Sequence, residues 1–136
     1  DGLFALQVIT IPDQRYDRYR KSVDFIQKYI FPGGSLPSLG AMTGAVGSVT
    51  DLQFVHPEDL AGHYARTLAC WWERFLANFY TTRELGMPES FLRLWEYYLG
   101  YCEGAFREKQ IGVSQLLLQK PSNRRSLQFP SLGTDR

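Results

Sequence analysis

Between Gly62 and Arg107 the apolar residues fall three and four apart, twice over. The first stripe is Tyr64, Leu68, Trp71/Trp72, Phe75 and Phe79. The second is Phe91, Trp95, Tyr98/Leu99, Cys102 and Phe106. That period marks amphipathic helices, and Gly86 followed by Pro88 separates them. Both stripes are rich in aromatic rings, more than a helix that merely covers a sheet needs. Two such faces close on each other or around something apolar, so they read as a lid or the wall of an apolar cavity.

Around this pair the chain reads as α/β. Residues 3–11 are apolar at nearly every position, as in a central strand covered on both faces. Tyr16, Tyr19, Val23, Ile26 and Ile30 make one helical stripe, stopped by Pro32-Gly33-Gly34. Residues 37–47 suit a short helix, with Pro37 near its start and Gly47 at its end. Residues 49–55 read as a strand, "HPEDL" as a turn, and residues 113–118 as a final strand. One ordered unit over residues 1–120 is expected, with residues 121–136 a loose basic tail. A strand in full stride at the first residues, with no Met or leader, reads as a piece of something longer.

The bulk numbers narrow the function. The chain has 136 residues, room for one real core. Fifteen basic and 14 acidic residues leave a net charge of +1, which gives no electrostatic case for nucleic acid. Cys70 and Cys102 are expected to be buried thiols rather than a disulfide. Neither His56 nor His63 has a second His or Cys one helical turn away in the sequence, so no metal is expected. No apolar run approaches the ~20 residues that span a bilayer, and a cytoplasmic protein is expected. The run "RYDRYRK" is either a solvated helix face or a contact for anionic headgroups.

Several catalytic signatures are missing. "FPGGSLPS" has adjacent glycines but neither GxGxxG nor the lysine of a P-loop. There is no GxSxG elbow. Glu58, Asp59, Glu96 and Glu103 are dispersed and form no acid/base pair.

Four blocks carry a resemblance: "DFIQKYIFPGGSLPS", "HYARTLACWWERFLAN", "RLWEYYLGYCEGAFRE" and "IGVSQLLLQKP". In order and spacing they resemble the C-terminal part of the cyclopropane-fatty-acyl-phospholipid synthases, over roughly residues 3 to 120. The resemblance implies a Rossmann-like class I methyltransferase sheet with a helical acyl-binding lobe. It also implies S-adenosylmethionine as methyl donor and the double bond of an unsaturated phospholipid acyl chain as acceptor, met at the inner membrane surface. In that chemistry the alkene attacks the sulfonium methyl, a cation forms, and a bound bicarbonate removes a proton.

Site roles follow from the same resemblance. Phe31, held by the Pro-Gly-Gly turn, would face the sulfonium or the cation, an attraction of about 0.5 to 2 kcal/mol per ring. Tyr64 would hydrogen-bond the bicarbonate, and the backbone amide of Ile9 would bind the same anion. Gln7 stands where well-known synthases have histidine; it can donate a hydrogen bond but cannot carry a proton. The acyl pocket would comprise Phe31, Tyr64, Leu68, Trp95 and Cys102. From the residues alone, core packing is the favoured reading of each aromatic, since aromatics at helical spacing are usually core.

The family's glycine-rich cofactor turn and its ribose-binding carboxylate are not among these residues. The chain alone is therefore expected not to bind S-adenosylmethionine. It is also expected to leave one edge of its first strand unpaired, an invitation to dimerise. A non-catalytic lipid-binding or interaction module, and a methyltransferase with another acceptor, are the competing readings.

Overall fold

The computed structural model describes residues 2–127. Strand β1, Leu3–Thr10, leads into helix α1, Asp13–Tyr19. A π-helical turn follows at Ile26–Ile30, then α2 at Leu39–Val49 and β2 at Gln53–Asp59. Helices α3 (Ala61–Ala77), α4 (Phe79–Glu84) and α5 (Glu89–Arg107) precede β3, Gly112–Gln119.

The sheet order is β1-β3-β2, and β3 runs antiparallel to both neighbours. Directly paired residues share a face, so Gln7, Gln115 and Glu58 form one polar row across three strands. β3 is the central strand, with Val113, Leu116 and Leu118 almost wholly buried.

The core lies where α3 and α5 pack on each other and on β3. Ala65, Leu68, Leu99, Phe106 and Val113 form it. Each large side chain removed from water there contributes about 1.5 to 3 kcal/mol. The helices approach closely because α5 has no side chain at Gly100. A methyl group built there overlaps ring carbons of Trp72 on α3.

Several expectations change. β1 is not covered on both faces: Leu3, Phe4 and Ala5 are exposed, and β1 hydrogen-bonds to β3 alone. Its second edge is open among the described residues, as the sequence suggested. The expected helix through Val23 is broken. Ser22 turns both its amide and its hydroxyl onto the Tyr19 carbonyl, ending α1, and Val23 is 73% exposed. "HPEDL" is no turn, because its first four residues belong to β2. Residue 49 ends α2 rather than opening a strand. The helix from Ala61 stops at Asn78, whose Nδ2 donates to the Arg74 carbonyl at 2.8 Å. The Gly86 stop holds, with φ at +88°. Of the expected tail, residues 121–127 form no helix or strand but bury Asn123; residues 128–136 lie outside the described residues.

The Gly100–Trp72 contact makes a prediction. In an open helix, glycine to alanine gains about 1 kcal/mol. Here overpacking reverses the sign, and Gly100→Ala is expected to cost about 1 to 3 kcal/mol. A lowered urea midpoint, recovered by adding Trp72→Leu, is the outcome to look for.

Candidate functional site

The opening of the site is shaped by the segment Asp24 to Gly34. Asp24 and Gln27 form a reciprocal cap: the Gln27 amide donates to Asp24 Oδ1 at 2.8 Å, and the Asp24 amide to Gln27 Oε1 at 2.9 Å. Gln27 Nε2 also donates to the Gly34 carbonyl at 3.0 Å. Phe31 donates its amide five residues back, to Ile26, at 2.8 Å, so the turn is π rather than α. Gly34 then closes on the Phe31 carbonyl at 2.9 Å, over Gly33 at φ +81°. A β-branched or bulky residue at 33 would be strained. Backbone bonds on both sides of Phe31, and the Gln27 clamp across the turn, thus fix its position.

Behind this turn is an apolar cavity of about 210 Å³, between the π-helical turn and helices α3 and α5. Small-molecule sites begin near about 300 Å³, so the described residues make part of a site. A hollow of about 370 Å³ beside Asp13, Asp59 and Lys109 is larger but holds none of the expected site residues.

Of the residues expected at the site, Ile9, Phe31, Tyr64, Leu68 and Cys102 line the apolar cavity. Gln7 reaches it through Tyr64, donating from Nε2 to the phenol oxygen at 3.1 Å. Trp95 does not line it. Its ring packs edge-on against Tyr98, centroids 5.2 Å apart, and supports the wall from behind. Phe31 meets Tyr98 edge-on as well, at 6.1 Å. Tyr64 leans on Phe106 at 5.5 Å.

Tyr98, Tyr101, Arg15, Asp24 and Gln115 escaped the sequence reading. Tyr98 is on the α5 stripe, where core packing is the ordinary meaning. Arg15 and Asp24 bring charge to the cavity wall. Arg15 is anchored on Gln110, through the side-chain oxygen and the carbonyl, the latter at 3.2 Å. The D-x-x-Q spacing of Asp24 and Gln27 is a readable capping signal.

The electrostatics keep the cavity neutral. Burial pushes the Cys102 thiol up to about 11, helped by the nearby Asp24 charge, although Tyr98 hydrogen-bonds the sulfur and opposes the shift. Burial likewise raises Tyr98, aided by Cys102. It also raises Tyr101, with help from Asp24. Cys102 is therefore a wall residue, not a nucleophile. Cys70 is exposed, contrary to expectation, and both thiols are free. Among the described residues no cluster of His, Cys, Asp or Glu could hold a metal. No helix there is long and apolar enough to cross a membrane.

A family model described as mycolic acid cyclopropane synthetase matches residues 1–116. The chain belongs to that family. It is 44% identical over 117 residues to the tuberculostearic acid methyltransferase UfaA1 of Mycobacterium tuberculosis, spanning 86% of this chain and 27% of that protein. It is 34% identical over 123 residues to the cyclopropane-fatty-acyl-phospholipid synthase of Escherichia coli K12, spanning 88% and 30%. The structure of the mycolic acid cyclopropane synthase CmaA1 complexed with SAH and CTAB matches with a TM-score of 0.76 at 30% identity, over 88% of this chain and 45% of that one. These neighbours are S-adenosylmethionine-dependent methyltransferases, and the expected fold class is theirs. The chain spans less than half the length of the relatives it matches.

The residues present fit only one end of S-adenosylmethionine. Phe31 and Tyr98 offer electron-rich rings at the cavity for a sulfonium. For the adenosine, the described strands offer no glycine-rich turn with an acidic partner.

The raised thiol and phenols give a second prediction. At pH 8 about one Cys102 thiol in a thousand is ionised, so iodoacetamide is expected to label Cys70 and spare Cys102. The folded state holds these protons more tightly than the unfolded one. The stability they contribute is complete below about pH 9 and is lost as pH rises through the folded values. Melting temperature is expected to fall steadily from pH 9 to pH 11, and less so in Cys102→Ala.

Proposed function

We propose that the protein carrying this chain transfers a one-carbon unit from S-adenosylmethionine to the double bond of an unsaturated phospholipid acyl chain. The observation that carries this reading is the apolar cavity on which Phe31, Tyr64, Leu68 and Cys102 converge, in a chain of this family. The chain supplies the acyl-binding wall. S-adenosylmethionine, when bound, supplies an electrophilic methyl group, held mainly by sequence outside these residues.

Each local residue has a task. Leu68 and the neutral Cys102 exclude water and pack the acyl chain. Phe31 presents a ring to positive charge developing at the former double bond. Tyr64 and the Ile9 amide bind a small anion of the bicarbonate class, the base that takes the departing proton, and Gln7 orients Tyr64 for it. Arg15 and Asp24 sit at the same wall as opposite charges and leave it without net charge.

Gln7 favours a second product. It can neither accept nor release a proton at neutral pH, and both ends of its amide are engaged. A branched, still unsaturated product, formed when the cation gives its proton to the bound anion from a neighbouring carbon instead of closing the ring, fits a site whose seventh residue only orients Tyr64.

The same reading places the protein at the cytoplasmic face of the inner membrane. Tyr29, Tyr97 and Tyr101 are 40–57% exposed and cluster on Phe25 beside the cavity, with Lys28 over the Tyr29 ring. Aromatic rings with a polar tip and a lysine suit a headgroup boundary. The "RYDRYRK" run contributes less, since Arg15 is held by Gln110 and Arg20 is paired with Asp17. On its own, this chain would form a homodimer through the open edge of β1.

Lipid mass spectrometry tests the reading in hosts expressing either the whole protein or these 136 residues. Monounsaturated phospholipids are expected to gain one methylene mass only with the whole protein. Phe31→Leu is expected to slow that gain by about two- to thirtyfold, the rate equivalent of one lost ring–cation attraction. No gain from a soluble, cofactor-loaded whole protein would move the reading to another acceptor.

A further inference from the structure

We propose that Gln115 is a positioning residue: acting through Gln7, it holds Tyr64 with its hydroxyl proton free for an anion in the cavity. The proposal rests on the reading of Tyr64 as an anion-binding residue.

Gln7 and Gln115 stand directly opposite each other in the β1–β3 register, on the face toward α3. Gln115 Nε2 donates to Gln7 Oε1 at 2.7 Å, and Gln7 Nε2 donates to the Tyr64 phenol oxygen at 3.1 Å. A primary amide has one accepting end and one donating end. Once Gln115 donates to the carbonyl of Gln7, the NH₂ of Gln7 faces Tyr64. The phenol oxygen then accepts, and its single proton is left for another partner. Tyr64 lines the cavity beside Ile9, and the proposal assigns that partner to the cavity.

The sense of this relay matters. With both amides reversed, Tyr64 would give its proton to Gln7 and have none for an anion. Gln7 alone can take either sense; Gln115, donating as it does here, favours the one that leaves the phenol proton free.

The test is bicarbonate binding to the whole protein by titration calorimetry, without methyl donor or lipid. A carboxylate at position 115 can only accept, so Gln115→Glu draws the NH₂ of Gln7 to itself and turns the Gln7 carbonyl toward Tyr64. Tyr64→Phe is expected to weaken binding roughly tenfold or more, the loss of a hydrogen bond to a charged partner. Gln115→Glu is expected to match that loss, and the double variant to bind no worse than either single one. Gln115→Met, which leaves Gln7 free to take both senses, is expected to lose about two- to threefold, near the weak end for one hydrogen bond. Circular dichroism checks that each variant folds. Wild-type affinity in Gln115→Glu beside a clear loss in Tyr64→Phe overturns the proposal and leaves the anion site standing. Additive losses in the double variant also overturn it, since the new carboxylate would then act by charge alone. Full affinity in Tyr64→Phe removes the anion reading itself, and the proposal with it.

Discussion

The close approach of α3 and α5, made by Gly100 receiving the Trp72 ring, sets the geometry of everything else. It brings Tyr64, Leu68 and Trp71 on one helix opposite Tyr98, Cys102 and Phe106 on the other. The π-helical turn closes the open end and puts Phe31 against Tyr98. A wider helix pair would leave a gap between these side chains, with lost contacts on both walls.

Much of this was legible because it rests on local periodicity. The stripes at Tyr64–Phe79 and Phe91–Phe106 and the Gly86 stop are sequence patterns with one physical meaning. The breaks were harder. Ser22 and Asn78 interrupt helices by turning side chains onto nearby carbonyls, and neither residue is a strong breaker by type. β1 misled for a different reason. Its apolar run describes a covered strand, yet in these residues it has one neighbour.

The site divides the same way. Phe31, Tyr64, Leu68 and Cys102 were named through a family resemblance, and the fold brings them together. Trp95 sits one ring behind the wall because its position on α5 points it at Tyr98 and Phe91. Gln115 was invisible in sequence. Its partner is 108 positions away, and only the β1–β3 register puts the two amides face to face.

The cavity is apolar, electrically neutral and walled with aromatic faces, and we assign that space to the reacting part of an acyl chain. The most direct measurement is a crystal structure of the whole protein with a phospholipid analogue carrying bromine at the double-bond carbons. The anomalous signal locates those atoms without reference to activity. A bromine peak is expected between the Phe31 ring and the Tyr64 hydroxyl, beside Leu68. Ordered analogue with its bromine outside that space, on another face of the protein, would contradict the assignment.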